Sequence, residues 1–234
     1  MRLLKLVRTA SREANILAVL ATAALLFKIF VLNRYSAPFF GVYEFGVIVE
    51  AVLASVVASY VFYLLVVHVK ESSDREILRP YVEKHSKRLI GECLAQVSDI
   101  AKKTGVDLDF LNFTKLDVSS AFSNISPYSQ APLIISTQSM QYANWLQYFN
   151  EHKSRSDESI RKLLDQLPFL DASLVSIITA IDDCIHFSTL RFLTNIEIRN
   201  EDLSSFSEAF FDYCLLCRQL NLHLVRIGFS PVTP

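Results

Sequence analysis

The chain has 234 residues, 51% of them hydrophobic, with a mean hydropathy of +0.30 and a net charge of −1. That hydropathy is high for a soluble protein and low for one made of membrane segments alone, so a mixture is expected. The balanced charge argues against bulk electrostatic binding of nucleic acid, and only five glycines argue against turn-dense β folds and glycine-rich phosphate loops.

Arg2, Lys5, Arg8 and Arg12 form a basic N-terminal stub. Residues 14–32 then read ANILAVLATAALLFKIFVL, with Lys28 as the lone charge. Nineteen residues at about 1.5 Å each reach about 28 Å, close to the hydrocarbon thickness of a bilayer. A cleaved signal peptide is the competing reading. Its apolar region is shorter and small residues follow it, whereas Asn33, Arg34 and Tyr35 follow here. A buried soluble hairpin is the other alternative. The short loop from Asn33 to Phe45 carries Tyr35, Phe39, Phe40, Tyr43 and Phe45, residue types that favour the membrane–water interface. Residues 46–69 form a second apolar stretch, with Glu50 as the lone acid.

Basic residues flank both stretches on their outer sides. Lys70, Arg75, Arg79, Lys84, Lys87 and Arg88 follow the second, while the loop holds only Arg34. The positive-inside rule therefore places both termini in the cytoplasm and the loop outside. Lys28 and Glu50 fall at similar depth in an antiparallel hairpin, about 6 Å from its outer edge. Either they pair, or Lys28 snorkels while Glu50 faces protein or a water-filled path. Ala14, Ala18 and Thr22 recur every fourth residue, as do Ala51, Ser55 and Ser59, and Ala54 and Ala58. Such small-xxx-small patterns let helices approach closely. Helical spacing puts Glu50 on the face of Ala54 and Ala58, the face expected to meet other helices, within the hairpin or in a homo-oligomer.

From Lys70 onward the chain turns charged and amphipathic. Leu78, Val82, His85, Leu89, Cys93, Val97 and Ile100 form one helical stripe. Pro80 marks its boundary with the second span, and Thr104-Gly105 its stop. Residues 106–132 read as a loop with short helical pieces, 134–152 as a helix, and Lys153–Ser159 as a charged linker. Asp171 opens a helix with the stripe Leu174, Ile178, Ile181 and Ile185. Asn200-Glu-Asp signals the cap of a last helix with the stripe Leu203, Phe206, Phe210, Cys214, Cys217 and Leu220. The expected fold class is an all-α membrane protein. Its domains are a transmembrane hairpin within residues 1–69 and a cytoplasmic helical bundle over 70–234.

Candidate chemistry is sparse. Arg218-x4-His223 and Arg79-x5-His85 resemble the motif of HEPN ribonucleases, small helical bundles in which Arg and His meet at a dimer interface and cut RNA. Asp182, Asp183 and His186 share a helix face and could seed a metal site, but no second ligand cluster accompanies them. Cys214-Leu-Leu-Cys217 lies on an apolar stripe and reads as core. With Cys93 and Cys184 it reads as reduced thiol. No Walker loop, nucleophile elbow or dinucleotide fingerprint occurs. No catalytic residue, metal or cofactor is therefore expected.

The layout of basic stub, two spans joined by a short aromatic loop, and helical cytosolic domain resembles the membrane effectors of bacterial anti-phage systems. Among these it is similar to the two-transmembrane effectors encoded beside retrons. The segments that carry the likeness are Phe40-Gly-Val-Tyr-Glu-Phe-Gly46 and Ile77-Leu-Arg-Pro-Tyr81. The resemblance implies a toxin in the bacterial inner membrane, silenced by a reverse transcriptase with its RNA–DNA product and lethal to the infected cell on release. Sequence-specific reading of nucleic acid by this chain is not expected. Two alternatives remain open: a membrane-anchored HEPN-like ribonuclease, and a passive membrane adaptor.

Overall fold

The computed structural model describes residues 11–34, 41–136, 140–193 and 198–233. The chain is predominantly helical, and its contacts divide it into two compact units, residues 1–77 and 78–234. By length and composition, three helical stretches can cross a membrane: Arg12–Arg34, one within Glu44–Thr104, and Ala172–Leu193. The tip of the expected outer loop, with Tyr35, Phe39 and Phe40, lies outside the described residues, as do Arg2, Lys5 and Arg8.

In the first unit, α1 (Arg12–Phe30) starts where the Ser11 hydroxyl accepts a bond from the Ala14 N–H. This satisfies one of the open donors of the first turn. Gly41, at φ +89°, introduces α2 (Val42–Phe62), which passes into a π-helical turn over Tyr63–His68. The two helices pack antiparallel along a seam whose positions alternate by four and three. Ala14, Ala18, Ala21, Leu25 and Lys28 face Gly46, Glu50, Leu53, Val57 and Tyr60. Ala18 and Ala21 are the buried residues of α1 because they lack bulk and let α2 come close. Away from the helix ends the remaining surface is uncharged and mostly apolar, including Leu17, Val19, Phe27, Ile48, Val52 and Phe62. A helix pair with such a surface has an apolar medium as its natural surroundings.

The second unit begins within α3 (Val69–Thr104). Pro80 is inside this helix rather than at its boundary. It sits on the exposed side, where water takes up the carbonyl that its ring leaves unbonded. Gly105, at φ +71°, ends α3 in the left-handed cap that glycine tolerates best. The buried stripe of α3 is the expected one, from Val82 through His85, Leu89, Cys93 and Val97 to Ile100.

Next, α4 (Lys115–Phe122) opens on a reciprocal capping box between Thr114 and Asp117. The expected helix over 134–152 is not formed as such. The chain makes an antiparallel ribbon of β1 (Gln130–Ser136) and β2 (Gln141–Asn144), and α5 runs over Trp145–Leu164. The reason is local. Asn144 and Gln147 cap one another's backbone and fix the helix start, and Leu133-Ile134-Ile135 suits extended structure. The Lys153–Ser159 stretch is the middle of α5, not a linker. Its charges pair one turn apart, as Lys153–Asp157, Arg155–Glu151 and Lys162–Glu158.

Asp171 caps α6 (Ala172–Asp182) through the Leu174 N–H. A break at Asp183–Cys184 precedes α7 (Ile185–Leu193), and α8 (Ser207–Arg226) closes the unit. Asp202 accepts from the Ser204 N–H in the short turn before α8 and does not cap α8 itself, whose N-cap is Phe206. The third candidate span coincides with α6 and α7. It is interrupted, carries Asp182, Asp183 and Arg191, and buries Leu174, Ile178, Ile181, Phe187 and Leu190 in the core. Those residues already have a partner surface, so this stretch reads as bundle core. Aromatic side chains dominate that core: Phe122, Trp145, Tyr148, Phe149, Phe187, Phe210 and Tyr213 pack mutually.

Candidate functional site

Polar groups on the α1–α2 seam are the first candidate. Lys28 Nζ donates to Glu50 Oε2 near one end, and the Tyr60 hydroxyl bonds Asn15 Oδ1 near the other. Lys28 is well covered, at 11% side-chain exposure, while Glu50 at 39% sits at the edge of the seam. Gly46 lies under the lysine stem, and a Cβ there would stand 3.5 Å from Lys28 Cε. A methyl group fits, and anything longer displaces the ammonium. Pairing spares each charge the cost of standing alone in an apolar medium.

The small residues are placed differently from the hairpin arrangement that spacing allowed. Ala51, Ala54, Ser55, Ala58 and Ser59 are all exposed, and α1 covers none of them. At 100° per residue the seam of α2 is centred between Gly46, Leu53 and Val57. Glu50 is its boundary, and Ala54 and Ala58 lie just beyond it. Within one chain this smooth face is open.

The ribonuclease-like pairs are engaged in packing. The Arg218 guanidinium donates to the Phe113 carbonyl (3.2 Å) and lies 4.2 Å from that residue's ring centroid. His223, on the same helix but about 140° round it, meets the Asp171 carboxylate at 3.1 Å. Thus Arg218 and His223 bind different elements. Arg79 donates to the carbonyls of Ile227 and Gly228 and stacks on Phe229, while His85 is buried against Tyr81. A structural role predicts that His223→Ala lowers the melting temperature of the chain by about 2–4 °C, the loss of about one hydrogen bond. Total RNA incubated with either form should stay intact.

The metal seed does not assemble. Asp182 pairs with Arg191, whereas His186 turns into an aromatic cage of Phe149, Phe210 and Tyr213. Burial lowers its pKa to about 3, and its Nε2 has no partner among the described residues. No group of three metal-ligating side chains occurs among the described residues. Cys93, Cys214 and Cys217 are core residues, with Cys93 Sγ 3.6 Å from Cys214 Sγ. Burial raises all three thiols, which keeps them protonated and inert.

No known protein family, curated protein or solved structure matches this chain. Its chemistry has to be read from its own residues.

One arrangement was not foreseen from spacing. A polar ladder joins α3 to α5: Arg88 to Glu158 (3.6 Å), Glu92 to His152 Nδ1 (2.8 Å) and Asp99 to the Tyr148 hydroxyl (2.8 Å). Burial, with the hydrogen bond to Asp99, pushes the Tyr148 hydroxyl far above its ordinary range, so it stays a donor at every physiological pH. The ladder fixes the register of two long helices. Its α3 members Arg88, Glu92 and Asp99 lie off the apolar stripe, so spacing alone does not point to it.

Proposed function

We propose that this chain is a regulated membrane-disrupting effector of the anti-phage kind, with α1 and α2 as a transmembrane hairpin and the helical unit as the seat of its control. The observation that carries the reading is the first unit. It is a helix pair with a mostly apolar outer surface, with the Lys28–Glu50 ion pair closed on its seam and a smooth small-residue face left open.

In this reading both termini are cytoplasmic, as the flanking basic residues require. Copies of the hairpin associate through Ala51, Ala54, Ser55, Ala58 and Ser59, where close helix contact replaces lipid. Lys28 and Glu50 set the polarity at the depth where copies meet, Glu50 being the member at the seam edge. A partner bound to residues 78–234 keeps the spans apart; by resemblance it is a reverse transcriptase with its RNA–DNA product. The structural engagement of Arg218 and His223 supports a non-enzymatic effector over a ribonuclease.

Expression of the whole chain alone in bacteria is expected to collapse membrane potential and admit an impermeant dye. A chain lacking residues 1–77 should do neither. An intact membrane with degraded RNA would move the reading to the ribonuclease, and an intact membrane with intact RNA to the adaptor.

A further inference from the structure

Residues 118–150 hold no Asp, Glu, Lys or Arg, 33 consecutive positions in a chain that is 20% charged. The β1–β2 ribbon lies inside this stretch. Its base is anchored, since Ala131 and Ala143 are buried. Beyond Leu133 the described apolar residues of the ribbon are exposed. Ile134 and Ile135 are 43% and 46% exposed, and Tyr142 and Met140 are exposed as well. Ile134 pairs with Tyr142 and Ser136 with Gln141, so Ile135 stands at a bulge, and the exposed surface of the ribbon there is apolar. Two strands alone are barely stable in water, and natural proteins guard such edges with charge. Here there is none.

The charge stands beside the ribbon instead. A cleft of about 430 Å³ separates its base from the last turn of α3, with Gln130, Pro132 and Tyr142 on one wall and Asp99, Lys102 and Lys103 on the other. Asp99 is taken up by the Tyr148 hydroxyl and by Lys102 at 3.6 Å. Lys103 has no carboxylate partner among the described residues. The cleft is therefore net basic next to an uncharged strand.

We infer that the ribbon is the docking edge for an extended segment of a partner protein, apolar in alternate positions and flanked by acidic residues. The segment adds a strand to the ribbon through main-chain hydrogen bonds, lays its apolar side chains on the face that carries Ile135, and brings its carboxylates to Lys102 and Lys103. A second copy of this chain is the poorer occupant. Its ribbon is equally uncharged and would leave the lysines unneutralised. The inference deepens the reading above by naming where the controlling partner sits, and rests on it only for that identity.

Two labelled nonapeptides test it on the full chain in lipid nanodiscs, by fluorescence polarisation. Both carry an alternating Val-Thr core, one with acidic pairs at its ends and the other with lysine pairs. The acidic peptide should bind about tenfold more tightly, the sum of two or three partly exposed charge contacts. Lys102→Glu with Lys103→Glu should reverse the preference. Ile135→Asp, on an exposed face, should weaken both peptides while leaving the melting temperature unchanged. The proposal is overturned if neither peptide binds at about 1 mM, if the lysine reversal leaves the preference unchanged, or if Ile135→Asp abolishes a concentration-dependent dimer instead. Peptide binding reads the surface and depolarisation reads the effector, so the two can fail separately.

Discussion

Glu50→Leu is expected to cost the hairpin up to about 3 kcal/mol, and the double variant Lys28→Leu with Glu50→Leu much less. On the membrane placement proposed above, removing the carboxylate leaves the Lys28 ammonium covered and unpaired beside Gly46. An uncompensated charge costs on the order of 3 kcal/mol at mid-membrane on insertion scales, and less at about 6 Å from the edge. Removing both charges exchanges a paired polar contact for an apolar one, which is often close to neutral. The reversed pair, Lys28→Glu with Glu50→Lys, should recover most of the single variant's loss, because the two positions face one another across the seam. Inserted protein after carbonate extraction reads this stability. Depolarisation in the same cells reads function. If the double leucine variant inserts normally but no longer depolarises, the pair shapes the permeable state. If it inserts and depolarises at full strength, the polar part of the proposed path is wrong.

The similar depth of Lys28 and Glu50 was legible because each charge is isolated in an apolar run and helical rise alone sets it, while spacing left pairing and snorkelling both open. Which face of α2 met α1 was not. Glu50 lies on the boundary between two faces, and whether Ala54 and Ala58 fall inside or outside the contact turns on a rotation of a few tens of degrees. The stripes of α3 and α8 and the Asp171 cap could be read because burial follows the 3.6-residue period over many turns. The ribbon could not. Its apolar run at 131–135 does not alternate, since its strands are bulged and largely exposed beyond their base, and Trp145 continues the hydrophobic signal into α5. The middle of α5 failed for the opposite reason: its charges are held in pairs along the helix but resemble a linker when counted without their spacing. The α3–α5 ladder depends on two helices meeting in one register, which no local pattern encodes.

Acid should unfold the helical unit earlier than its carboxylates alone require, and His186 is the reason. Its folded pKa of about 3 lies below the ordinary 6.5 because burial among Phe149, Phe210 and Tyr213 disfavours the imidazolium. The unfolded chain therefore takes up the proton first. Stability is fully present above about pH 6.5 and falls as pH drops toward 3, by about 1.4 kcal/mol per unit. At pH 5 the loss from this one group is about 2 kcal/mol. His85 acts in the same direction, lowered by burial and then by Lys162, Lys84 and Arg88. His186→Phe keeps a ring in the cage and removes the titration. The variant should lose about 2 kcal/mol less than the parent between pH 7 and pH 5, measured by urea unfolding of the full chain in nanodiscs with far-ultraviolet dichroism. Parallel losses in the two proteins over that interval would mean that the imidazole is solvated and not held neutral. The same result would remove His186 from the core that the aromatic contacts define.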